Sequence, residues 1–258
     1  MNLKLVEQDI FKILPSTDSS VVLFGSVARG TPDDASDIDV LDVREQSRRP
    51  YRIGRISVSI YTPDFLSMIA RQGSLFVLHL LREGIILRDP NSVAAECLKC
   101  YSPSASYDGF REKLRDATQL LDVPKDVYLG NWHGFGRLSL FLLRSTVFSV
   151  EAERGAPSFC LKSIARRSGD IRLQCAYNFK HSQTPNWQQF LFVRGVVEEY
   201  LCCTSRNRFG SIQGLIANSS SEDLVATLAL RLLRNEESES YDAIRDRLGL
   251  PSLRQAIR

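Results

Sequence analysis

Hydrophobic positions along this chain follow two regimes. Over the first ~90 residues they come in short runs of strand period. Val21-Val22-Leu23-Phe24 is continuous, Ile38 and Val40 alternate with Asp37 and Asp39, and Ile56, Val58 and Ile60 alternate with Arg55, Ser57, Ser59 and Tyr61. The last pattern is that of a half-buried strand. Strands are expected over 20–24, 37–43 and 53–61, with a short closing strand over 85–87. Helical stretches lie between them. One covers 3–14 and ends at Pro15 and the polar Ser16-Thr17-Asp18 turn. A second opens with Thr62 as cap and Pro63 in the first helical position. A third runs from Ser74 to Glu83 and stops at Gly84. Arg44 to Pro50 reads as a polar connection.

From about residue 105 the period turns helical and stays so. Tyr107–Leu121, Trp132–Glu153, Pro157–Arg167, Trp187–Cys203, Glu222–Arg234 and Tyr241–Leu248 are candidate helices, and the stretch from Tyr101 to Ser106 is the natural boundary. No internal repeat or low-complexity tract interrupts the pattern. The fold class expected is α+β: a small mixed-sheet domain over 1–100, followed by an all-α domain over 105–258.

Composition adds bounds. The 258 residues suffice for one large or two modest cores. A net charge of +3 is too small for wholesale coating of nucleic acid. Arg166, Arg167, Arg172 and Lys180 cluster in sequence, and a solvated loop is their default reading. Lys4, Glu7, Asp9 and Lys12 break up the apolar positions of the N-terminus, against a secretory core. Leu138 to Val150 is interrupted by Arg144 and is too short to span a bilayer. A cytoplasmic protein with no membrane partner is expected. The six cysteines include Cys97-x-x-Cys100, with no second pair at zinc-ribbon spacing, so reduced structural thiols are the expectation.

The chemistry concentrates in Gly25-Ser26-Val27-Ala28-Arg29-Gly30 and Ser36-Asp37-Ile38-Asp39-Val40. A strand running into a Gly-Ser turn presents backbone N–H groups and a hydroxyl to phosphate. Asp37 and Asp39, two apart in a strand, point to one face while Ile38 and Val40 point to the other. Together they suit a Mg²⁺-bound nucleoside triphosphate.

These residues resemble the polymerase-β-type nucleotidyltransferase superfamily, in particular its minimal and kanamycin-nucleotidyltransferase-like groups. The signature there is a Gly-Ser turn, a further Arg-Gly and an Asp-x-Asp pair on the next strand. The resemblance covers roughly residues 20–61. It implies transfer of a nucleoside monophosphate to an acceptor hydroxyl on a small molecule, an RNA or a protein. The implied catalytic and metal-binding pair is Asp37 and Asp39, with Mg²⁺ as cofactor. The implied nucleotide-binding set is Gly25, Ser26, Arg29, Gly30 and Ser36. Within that set Arg29 has two readings, a phosphate contact or a salt bridge holding the turn, and Gly30 is conformational. The helical half is expected to select the acceptor.

One position departs from the pattern. Such enzymes carry a third carboxylate on a following strand, and here the polar face of 53–61 offers Ser57 and Ser59. Three readings stand: the acid comes from elsewhere, Asp64 before Asp42; two carboxylates suffice for slow chemistry; or the protein binds nucleotide as a catalytically degenerate regulatory or partner-binding module. Glu151 and Glu153 are candidate bases from the helical half, with solvated helix-end glutamates as the commoner reading. His79 lies within Leu75–Leu81 and reads as a buried, hydrogen-bonded histidine.

Overall fold

The computed structural model describes residues 2–234 apart from 15–16, 34–35, 47, 156 and 221–222. The helix expected over Tyr241–Leu248 lies outside the described residues, as do Asp34 and the Pro15-Ser16 step. Contacts divide the chain into two compact units, with the break between Ala105 and Ser106. Among the described residues, no helix is long and apolar enough to cross a membrane.

The first unit opens with helix α1 (Leu3–Ile13), capped by the side chain of Asn2. Strand β1 (Ser20–Phe24), the single turn α2 (Gly25–Ala28) and strand β2 (Ile38–Val43) follow. Then come β3 (Tyr51–Ile53), β4 (Ile56–Tyr61), α3 (Pro63–Arg71), α4 (Leu75–Glu83), β5 (Ile85–Arg88) and α5 (Val93–Lys99). The strands form one mixed sheet in the order β3-β4-β2-β1-β5. β2 and β4 run parallel, and the other neighbours are antiparallel. The α+β class expected from the sequence is thus present.

The three central strands, β4, β2 and β1, are buried on both faces over most of their length. Val6 and Ile10 of α1, with Leu14, pack onto Val21, Leu23, Ile38, Val40, Ile56, Val58 and Ile60. On the other face Leu66, Ile69, Phe76, Val77, Leu80 and Cys97 cover Val22, Phe24, Leu41, Val43 and Tyr61. The half-buried reading of β4 is therefore corrected: Ser59 and Tyr61 are enclosed under α3–α5. That cover comes from residues distant in sequence, which alternation along one strand does not register. It runs out at one end of the face, where Asp39 and Ser57 are only half-buried.

The single strand expected over 53–61 is also corrected. Gly54 takes φ +58 and the chain reverses at Gly54-Arg55, so 51–61 is a β-hairpin with an additional strand β3 at the sheet edge.

The second unit is helical. Its elements are α6 (Asp108–Ala117), α7 (Lys125–Gly130), α8 (Trp132–Glu153), α9 (Leu161–Ser168), α10 (Ile171–Asn178), α11 (Trp187–Leu201), α12 (Ile212–Asn218) and α13 (Leu224–Arg234). α8 and α11 form its centre, and the fully buried Tyr128 ring stacks on Phe190 with centroids 4.6 Å apart. α7, α10 and α12 are additions to the expected set; at six to eight residues they are too short to print a helical period. Arg172 is in a helix and not in a loop, because Asp170 caps α10 and binds its guanidinium at 2.9 Å.

One buried ionic cluster ties α4 to α2. Arg29, just after α2, donates from Nη1 to Glu83 Oε2 at 2.6 Å, and His79 Nε2 lies 3.0 Å from the same oxygen. His79 is buried, as its apolar neighbours imply, and its ring meets Phe24 edge-on. Burial would raise the Glu83 carboxyl, but hydrogen bonds from His79 and Arg29 and the Arg29 charge outweigh it and hold it at about 2. A carboxyl depressed in the folded state contributes stability in full above its unfolded value of 4.5 and loses it as pH falls toward 2. Urea denaturation across a pH series should show the wild type losing on the order of 3 kcal/mol more than Glu83→Gln over that acid range. Parallel pH profiles for the two proteins would contradict the cluster.

Candidate functional site

The site begins where β1 ends. Phe24 is fixed in the core, and the chain turns sharply as soon as β1 ends. Gly25 does this at φ +78, a left-handed conformation that a side chain disfavours. Space adds a second requirement. A Cβ on Gly25 would stand 2.5 Å from Asp39 Oδ2, so the carboxylate is seated against bare backbone. β1 and β2 pair Phe24 with Asp39, which brings the turn and the carboxylate together.

α2 is one turn long. Arg29 N–H closes onto Gly25 O at 3.2 Å, and Thr31 N–H reaches Ser26 O at 3.0 Å. Ser26 is half-buried at the head of this turn. Gly30, at φ +71, ends it, and nothing lies within 4 Å of where its Cβ would be. Its part is conformational. Of the two readings of Arg29, the structure displays the salt bridge: its guanidinium lies on Glu83.

The loop that leads into β2 is set by Ser36. Its buried hydroxyl donates to Asp33 Oδ1 at 2.7 Å and accepts from Asp33 N–H at 2.9 Å. The Ser36 carbonyl accepts from Arg55 Nη2 at 2.6 Å, and Ile38 N–H donates to Arg55 O at 2.8 Å. Ser36 thus organises the loop that delivers Asp37. Asp37 and Asp39 emerge half-buried on one face of the sheet.

Across the strands that face reads acid, hydroxyl, base. Asp39 is opposite Ser57 on β4, and Ser57 is opposite Arg52 on β3. Arg52 then reaches back to Asp37, with Nη2 2.6 Å from Oδ1. No acid stands in the third position. Asp64 does not supply one: it follows Tyr61, whose partner Val43 is four residues beyond Asp39, roughly 13 Å along the strand. It sits exposed in the first turn of α3, where its charge suits the helix dipole. Asp42 is fully buried on the opposite face and bound by Arg44. In the helical unit, Glu151 pairs with Arg154 and Arg167. Glu153 accepts from Arg111 and from the Tyr107 N–H at 2.6 Å, and the Arg111 hydrogen bond holds its carboxyl below the usual range. Both are spent on ion pairs. Among the described residues, no group of three His, Cys, Asp or Glu side chains is placed to hold a metal.

Mg²⁺ prefers hard oxygen donors and commonly takes one or two carboxylates, completing its shell with phosphate and water. Asp37 and Asp39 fit one such ion, and a neutral hydroxyl at Ser57 does not add a strong ligand for a second. Arg52 escaped the sequence reading. The signal that marks it is Gly54 as a hairpin turn, which would have set β3 against β4.

Residues 6–61 match the family model described as a nucleotidyltransferase domain. The matched stretch runs from within α1 to the end of β4 and holds the turn, both aspartates and Ser57. The match supports the resemblance of the Gly-Ser turn and the Asp-x-Asp pair to the polymerase-β-type nucleotidyltransferase superfamily. Among solved structures, the crystal structure of a nucleotidyltransferase-like protein from Exiguobacterium sibiricum is similar at 15% identity and a TM-score of 0.30, covering 92% of this chain and 81% of that one. No curated protein matches the chain.

The seat of Asp39 against Gly25 is open to a direct test. Gly25→Ala combines a strained φ with a collision, whereas Gly30→Ala meets only the strain. Gly25→Ala should cost at least about 1 kcal/mol more than Gly30→Ala in urea denaturation. Equal costs would mean that Asp39 is not held against the turn.

Proposed function

We propose that this protein is a nucleotidyltransferase that binds a nucleoside triphosphate at the Gly25-Ser26 turn and passes its nucleoside monophosphate to an acceptor hydroxyl. The observation that carries this is the contact of Gly25 with Asp39, which joins a phosphate-accepting turn to a carboxylate pair. Backbone N–H groups of the turn and the Ser26 hydroxyl donate to phosphate oxygens. Asp37 and Asp39 are the residues that would hold one Mg²⁺, and such an ion would offset the charge that builds on the leaving pyrophosphate.

In the reaction the acceptor oxygen forms a bond to the α-phosphorus while the bond to the pyrophosphate oxygen breaks. Asp39, fixed by β2 and by its seat on Gly25, orients the reacting end. Ser57 is no base near neutral pH, so the acceptor proton passes to water. General bases contribute roughly 10²–10⁴-fold, so turnover is slow for this class. The acceptor hydroxyl belongs to a small molecule, an RNA or a protein.

A second reading has its own observation. Ser57 in the third position and Arg52 on Asp37 favour a domain that binds nucleotide and signals or docks without turnover. Incubation with each α-labelled triphosphate and Mg²⁺, with and without cell lysate, separates the two. Label should move to an acceptor with the wild type and not with Asp37→Ala/Asp39→Ala. Nucleotide binding with no transfer to any fraction supports the second reading, and no binding at all overturns both.

A further inference from the structure

Resting on the nucleotide-site reading above, we propose that Arg52 is a built-in counter-cation of this site: it pairs with Asp37 and turns to the triphosphate when metal-nucleotide enters. The register alone sets Arg52 on the same sheet face as Ser57 and Asp39, one strand beyond the third-carboxylate position. The side chain is also aimed. Its Nε donates to Gly54 O at 3.0 Å, in the turn of the same hairpin, and Nη2 and Nη1 lie 2.6 and 3.4 Å from Asp37 Oδ1 and Oδ2. A guanidinium pinned at Nε and forked onto one carboxylate is a preorganised donor, suited equally to phosphate.

Two consequences follow. The first concerns metal alone. Arg52 and a divalent cation compete for Asp37, so free metal alone binds weakly. Both side chains are about two-fifths exposed, and such a pair adds little to folding, so an incoming metal-nucleotide can displace it. The second concerns nucleotide. A triphosphate offers Arg52 new acceptor oxygens as Asp37 turns to metal, and positive charge stays beside Ser57, in the position of the third carboxylate. Arg52 thereby couples the two ligands: metal binds well only with the nucleotide that relieves Asp37 of its partner.

The test uses the full chain with Mn²⁺ as the metal and a non-hydrolysable triphosphate as the nucleotide. Free Mn²⁺ is followed by electron paramagnetic resonance and nucleotide by calorimetry. Arg52→Gln should bind Mn²⁺ alone about three- to tenfold more tightly and the metal-nucleotide about three- to tenfold more weakly. In an Asp37→Asn background the same substitution should leave Mn²⁺ affinity unchanged. Arg52→Lys keeps charge without the fork and should fall between. Circular dichroism melts confirm that each variant is folded. Mn²⁺ affinity that is unchanged or lower in Arg52→Gln overturns the competition, and unchanged nucleotide affinity overturns the phosphate role. A wild type that shows the Arg52-dependent Mn²⁺ effect yet takes up no nucleotide overturns the functional reading and the phosphate role while supporting the ion-pair competition.

Discussion

The approach of Asp39 to the bare Cα of Gly25 is the constraint from which the rest of the site follows. Pairing of β1 with β2 sets Phe24 opposite Asp39, and the next residue must then reverse at positive φ beneath a carboxylate. Glycine meets both demands without strain and without displacing the carboxylate. The anchor on either side is apolar: Phe24 is wedged edge-on against Phe76, and Ile38 and Val40 are buried under α1. Arg29, Glu83 and His79 secure the far end of α2, so the turn is held from both ends. Rigid elements thus deliver the two groups, which is what a site of fixed geometry needs.

The Gly-Ser turn and the Asp-x-Asp pair were legible in the sequence because their geometry is local. A two-residue spacing fixes both carboxylates on one face, and an apolar run before a glycine marks the strand end. Thr62, Pro63 and Ser74 placed two helix starts for the same reason. What the sequence concealed was non-local. Ser59 and Tyr61 are buried by helices that come later in the chain, and Asp37 finds Arg52 fifteen residues away through a hairpin. The bonds of Ser36 to Asp33 and Arg55 are likewise absent from the motif. A motif reports which residues travel together and not which of them support the others.

Electrostatically the site is asymmetric. Two acids lie beside the turn, a neutral hydroxyl follows, and a base closes the row at the sheet edge. Such a row suits an anionic ligand carrying one cation, with Arg52 supplying positive charge from the protein side. It is a poorer match to a constellation of three carboxylates around two ions, because Ser57 contributes neither charge nor basicity. The proposed metal-assisted binding therefore draws on this geometry more directly than fast turnover would.

The most direct test of this account is a crystal structure of the chain with Mn²⁺ and a non-hydrolysable nucleoside triphosphate. The account predicts an anomalous peak bridging Asp37 and Asp39, with phosphate oxygens on the Gly25-Ser26 turn. A triphosphate bound elsewhere, or a bound nucleotide with no metal at the aspartate pair, would contradict it.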